Sequence, residues 1–153
     1  MSMATDRSYV AENRAQLERL RALTDKLSDQ QLTGSLEAGW TVAGVLAHLA
    51  FWDQRIVILL DRWAGGRGTP PAAYDGAAVD WINDAGKPLC LALPPRVAAR
   101  MAVEAAVAAD ERVAALSDAQ LAANAAAGTP ISVRRAEHRR EHLDEIDQIL
   151  ARR

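Results

Sequence analysis

The chain has 153 residues, 50% hydrophobic and 25% charged, with a formal net charge of −2. Such a composition excludes a disordered chain, the length suits one domain over residues 1–153 with a real core, and the charge offers no electrostatic basis for binding nucleic acid or an anionic membrane. Cys90 is alone, so no intrachain disulfide framework exists; with no signal-peptide pattern at Met1–Arg7 and no apolar run of about 18 residues, the expected setting is the cytoplasm.

Val10, Leu17, Leu20, Leu23 and Leu27 recur at helical steps and predict a first amphipathic helix from Ser8 to Leu27. Ser28-Asp29 offers a cap for a short turn at Gln30–Leu32, after which Gly34 and Gly39 loosen the backbone. Thr41 is a plausible N-cap for a second helix running to Trp63, where Gly65-Gly66 stop it. With His48 at zero on the helical wheel, Thr41, Val45, Trp52, Ile56, Leu59 and Trp63 fall within about 80°, so His48 belongs to the buried stripe. Trp52 reads as core or as a pocket wall one turn below His48, and Arg55 sits nearly beneath it. Asp53 lies about 140° round and reads as a surface residue.

From Gly65 to Asp80 glycine, proline and alanine dominate, and the stretch reads as a long non-helical crossover between helices that are not antiparallel neighbours. It lacks the Gly-Lys-Ser/Thr ending and preceding strand of a phosphate loop. Val79–Leu93 is partly apolar but interrupted by Gly86 and Pro88, and the pattern does not say whether Trp81 and Cys90 face core or pocket. Pro94-Pro95 introduces a third helix, Arg96–Leu116, with Val97, Met101 and Val107 on its inner side, Val113 nearly opposite, and many alanines that would let a neighbour approach closely. Glu104 and Glu111 read as rim carboxylates. Ser117-Asp118 repeats the connector style of Ser28-Asp29. Gly128-Thr129-Pro130 then precedes a fourth helix from Ile131 to Ala151.

The chemistry concentrates on the histidines, of which the chain has three. His138 and His142 stand one turn apart on one face of the fourth helix, embedded with Ile131, Ile146 and Ile149 in its packing stripe, and His48 lies on the stripe of the second. Three unpartnered imidazoles in a core would cost a few kcal/mol each, whereas a shared metal ion would satisfy all of them. Glu145, about 20° from the His138 axis, is the carboxylate best placed to bond a ligand histidine or a metal-bound water, with Glu141 next at about 60°. Arg134 and Arg135, one turn before His138, could hold an acidic substrate or a thiol carboxylate, or be surface charges. His138 to His142 also fits the H-x-x-E-H pattern of inverted zinc peptidases, but too little chain follows for their fold and further ligand. No Ser-His-Asp or Cys-His arrangement is evident, because every histidine is best used as a ligand.

Gly39-Trp40-Thr41-Val42-Ala43-Gly44-Val45-Leu46-Ala47-His48-Leu49-Ala50 resembles the W-[ST]-V-x-x-[VL]-L-x-H-L signature of the DinB-like superfamily, and His138-x-x-x-His142-Leu-x-x-Ile is similar to its closing motif. That superfamily includes the mycothiol-dependent maleylpyruvate isomerase N-terminal domains and the bacillithiol transferases. The resemblance implies an all-α fold, a four-helix bundle of up-down-down-up topology with a long crossover between its second and third helices. It also implies a divalent metal on His48, His138 and His142, with zinc, nickel, iron, cobalt and manganese all compatible with histidine ligation. Relatives use that metal to activate a low-molecular-weight thiol such as mycothiol or bacillithiol. The expected function is therefore metal-dependent S-transfer or isomerisation of a small-molecule substrate by a homodimer, with Glu145 or Glu141 assisting proton transfer. Alternatives are a metal-dependent hydrolase and a non-catalytic metal-binding or dimerisation module.

Overall fold

The computed structural model describes residues 3–63, 70 and 75–152. Every regular element among them is a helix: α1 (Ser8–Lys26), α2 (Asp29–Leu32), α3 (Val42–Arg62), α4 (Gly76–Ala92), α5 (Pro95–Ala114), α6 (Asp118–Ala126) and α7 (Arg135–Ala151), with a 3₁₀ turn at Glu37–Gly39. The long helices α1, α3, α5 and α7 pack in a cycle, α1 against α5 and α7, and α3 against the same two. The helix α4 lies along α3.

Local chemistry accounts for most of the boundaries. Thr41 Oγ1 accepts the Gly44 N–H at 2.9 Å and starts α3. Ser28 and Ser117 each form a capping box, with Gln31 and Gln120 as reciprocal partners, so the two similar Ser-Asp connectors are one physical device used twice. Pro95 opens α5, where its missing N–H is no loss. The helix α3 is long and apolar enough to span a membrane by length and composition, with mean hydropathy 1.4, yet 67% of that stretch is buried inside the fold. It is the core helix.

Three sequence-based expectations need correction. The crossover does not stay non-helical to Asp80, because Asp75 accepts the Ala78 N–H and α4 runs without interruption through Gly86 and Pro88. Tertiary support outweighs the breakers: Trp52 donates to Asn83, Lys87 bonds the Ala38 carbonyl, and Leu91 packs so near Gly44 that an added Cβ there would lie 2.8 Å from it. Trp81 on α4 is 64% exposed, whereas Cys90 is half-buried against the core. Gly65–Gly66 and most of the expected crossover lie outside the described residues.

The inner face of α5 also differs. Its buried residues are Ala98, Ala99, Ala102, Ala105, Ala106, Ala109 and Val113, while Met101 is 41% exposed and Val97 and Val107 are half-buried. Small side chains let α3 and α5 come together closely, so here the alanine stripe outranks the larger apolar residues in burial. Finally, α7 begins at Arg135 and not at Ile131. Both backbone groups of Ile131 are taken by the side chain of Asn124, and Asn13 of α1 accepts the Ala136 N–H while donating to the Val133 carbonyl. These bonds hold residues 131–134 non-helical and cap α7 from another helix.

The core falls into two apolar clusters, one containing Leu20, Leu46, Leu49, Ala102, Leu143 and Ile146, the other Tyr9, Ile56, Leu60, Ala109, Val113 and Ile131. Between them in sequence stand the buried polar residues Asn13 on α1, Asp53 on α3, and Arg135 with Arg139 on α7, while Asp110 of α5 lies within the stretch of the second cluster.

Candidate metal centre

His48 is carried by α3, and His138 and His142 by α7, so the cluster is assembled where these two helices meet. The Nε2 atoms converge. His138 Nε2 lies 3.1 Å from that of His48 and 3.2 Å from that of His142, and the three rings meet edge to face. Two nitrogens bound to one first-row metal ion at about 2.0–2.1 Å stand about 2.9–3.4 Å apart for angles between octahedral and tetrahedral. The cluster therefore has the dimensions of a metal site, and the donor set suits a divalent ion.

Protonation favours the same use. Burial, with help from neighbouring His142, pushes His48 down to about 4. Burial also pushes His138 down to about 3, with His142, His48, Arg135 and Arg139 adding to it. Near pH 7 both rings are neutral, the form that binds metal. His142 Nδ1 lies 3.2 Å from Glu145 Oε2; a proton on Nδ1 donated to that carboxylate leaves the Nε2 lone pair facing the other rings. Glu141 is exposed on the same helix. Trp40 lies edge-on to His48 at 5.7 Å between ring centres.

Beneath the histidines lies an ion network that the helical wheel places wrongly. Asp53 is 2% exposed, not a surface residue. Its carboxylate accepts Arg135 Nε at 2.9 Å and both Nε and Nη2 of Arg139 at 3.2 Å, and Arg139 also donates twice to Asp110 at 2.7 and 2.9 Å. Two carboxylates face two guanidiniums, and the set sums to zero charge. Burial pulls the Arg139 guanidinium down, but Asp110 and Asp53 outweigh it and hold it firmly protonated. Arg139 alternates with His138 and His142 along α7, so this network fixes the rotation of the helix that presents two of the histidines. A signal for it exists in the sequence: α3 is predominantly apolar, and a charge buried in the middle of such a helix must find a partner.

The two arginines expected near a substrate part company. Arg134 points toward α1, bonded to Asp6 and Glu12. Arg135, tied to Asp53, reaches the wall of a cavity of about 260 Å³ that opens beside His48 and His138 and is also lined by Trp52, Arg55 and Asn83. The helical wheel places Arg55 of α3 nearly beneath His48, whereas Asn83 does not stand out from periodicity, since α4 is not legible as a helix. Glu104 and Glu111 are exposed on α5.

Compared with known families, residues 13–146, most of the chain, match the family model of the mycothiol maleylpyruvate isomerase N-terminal domain. No curated protein and no solved structure matches the chain.

Proposed function

The chain belongs to the mycothiol maleylpyruvate isomerase N-terminal domain family, within the DinB-like superfamily, and from that premise we propose that it is a metal-dependent enzyme of thiol chemistry. In this proposal His48, His138 and His142 hold one divalent ion, and a low-molecular-weight thiol of the mycothiol type takes part in S-transfer or isomerisation. The observation that carries it is the convergence of three Nε2 atoms from two helices at ligand spacing. When bound, the ion would stabilise a thiolate at neutral pH. Glu145 holds the tautomer of His142 and, 35% exposed at the side chain, has access to solvent for receiving the thiol proton. Glu141, exposed on the same helix, is the second carboxylate of the proposal. The proposal includes the up-down-down-up order for α1, α3, α5 and α7, supported by the two core clusters, which join the first half of α3 to the first half of α5 and the end of α3 to the start of α1.

The test is elemental analysis of the untagged protein beside the His48→Ala, His138→Ala, His142→Ala triple variant. About one metal per chain, lost in the variant, is expected by the three-ligand arithmetic. Absence of metal after reconstitution with divalent ions would refute the centre. For the chemistry, turnover of an electrophile by the metal-loaded protein should require added thiol; thiol-independent hydrolysis of esters or amides would refute it.

A further inference from the structure

Trp40 stands immediately before Thr41, the N-cap of α3, and its ring meets that of His48 edge to face, with centres 5.7 Å apart and planes at 63°. The rings of His138 and His142 meet the same imidazole, each with its centre 5.0 Å away. Three rings thus limit how far His48 can turn, and Trp40 is the one among them that would not bind a metal ion. The direction of the His48 Nε2 lone pair depends on where that indole is held.

Trp40 is carried by a sharply bent loop. Its ends close on each other, the Leu36 N–H donating to the Trp40 carbonyl at 2.7 Å and the Val42 N–H to that of Gly34 at 3.0 Å. Between them Ala38, at φ 54°, and Gly39, at φ 76°, both stand in the left-handed region. Glycine adopts that region freely and alanine does not, so Ala38 stays there only while its surroundings fix the loop. Lys87 of α4 supplies such a constraint. Its ammonium donates to the Ala38 carbonyl, 49 positions earlier in the chain, and lies 5.2 Å over the centre of the Trp40 ring, within the ~6 Å at which a cation is attracted to an indole face. It also comes within 3.5 Å of where a Cβ on Gly39 would lie. One ammonium therefore reaches Ala38, Gly39 and Trp40 together.

We propose that Lys87 is a positioning residue for His48: by clamping the 36–41 loop it holds Trp40 against the imidazole, and so sets the affinity of the three-histidine cluster for a divalent ion. It acts through Trp40 and not by contact with a ligand. As a claim about metal affinity it rests on the metal centre proposed above; as a claim about the placement of His48 it stands without it. It also gives α4, none of whose residues is fully buried in the fold, a part in building the site.

The experiment compares the wild-type chain with Lys87→Met, Lys87→Arg, Trp40→Leu and the Lys87→Met, Trp40→Leu double variant. Lys26→Met, at an exposed lysine in the last turn of α1, controls for the lost charge. In metal-free protein at constant neutral pH, the NMR shifts of the His48 ring protons carry the ring current of Trp40. Lys87→Met should move them most of the way to their Trp40→Leu positions, whereas Lys87→Arg and Lys26→Met should leave them nearly in place. Cobalt(II) affinity, measured by competition with a chelator, should fall about tenfold in Lys87→Met, the low end of the ~10–100-fold range for groups that support ligands. It should recover in Lys87→Arg and fall no further in the double variant than in Trp40→Leu. The sign separates positioning from electrostatics, since removing a nearby cation would by charge alone strengthen the binding of a metal cation. Unchanged His48 shifts in Lys87→Met, cobalt affinity equal to or above that of the wild type, or additive losses in the double variant would overturn the proposal, and lowered thermal stability as the sole effect would make Lys87 structural only. His48 shifts that follow Lys87 in a chain that takes up no cobalt would uphold the clamp and remove the metal centre, so the two failures are distinct.

Discussion

Replacing Asp53 by alanine tests the reading of the α3–α7 interface most severely. In the folded protein Arg139 is 1% exposed and Arg135 is 7% exposed, and Asp53 bonds both. After Asp53→Ala, Arg139 retains Asp110, but Arg135 keeps only a 3.4 Å contact to the Ser132 carbonyl, and two buried positive charges face one negative. Breaking a buried pair in this way costs about 3–5 kcal/mol, against well under about 1 kcal/mol for a solvated carboxylate. For a chain of this size each kcal/mol moves the melting temperature by about 2–4 °C, so the midpoint should fall by roughly 6–20 °C. Thermal melting followed by circular dichroism measures it. A second substitution, Arg135→Met, should recover part of the loss in the Asp53→Ala background while being destabilising in the wild type, the sign reversal expected of a stranded charge. A loss below about 1 kcal/mol for Asp53→Ala, with no such reversal, would show that Asp53 is solvated and that the network does not hold α7.

Other consequences follow from the same geometry. Because folding depresses His48 to about 4 and His138 to about 3 from 6.5, the unfolded chain binds more protons in the interval, so metal-free stability is full above pH 6.5 and is lost as pH falls. The loss amounts to about 2 kcal/mol per histidine at pH 5; urea midpoints at pH 7 and 5 should separate for the wild type and much less for His48→Gln, His138→Gln, and equal wild-type midpoints would contradict the burial argument. Glu145→Gln, which weakens the bond holding His142, should lower metal affinity about 10–100-fold without changing the stoichiometry at saturation, and competition with a chelator would register an unchanged affinity if Glu145 plays no part. Ser117→Ala removes the α6 capping box and should cost about 1 kcal/mol in chemical denaturation while leaving metal content intact.

The periodicity of apolar residues reports which face of a helix is buried when one side meets protein and the other meets water. That condition holds for α1, whose predicted span is nearly the observed one, and for the caps at Thr41, Ser28 and Ser117, which depend on a side chain and a backbone N–H three residues away. The alignment of His138 with His142, and the place of His48 on its stripe, are local in the same sense. Where several helices surround one, the signal fails. Residues buried in α3 lie on nearly all its sides, so Asp53 could be buried although it stands far from the His48 stripe; α4 held its shape through contacts with α3 despite Gly86 and Pro88; and on α5 the alanines were buried because α3 needed room. Three histidines on two helix faces are therefore legible from 3.6 residues per turn, but their convergence to 3.1 and 3.2 Å is a property of how α3 and α7 dock. So is the difference between a charge in water and a charge between two guanidiniums: it depends on which neighbour occupies the far side of the helix, and no local pattern of residues carries that information.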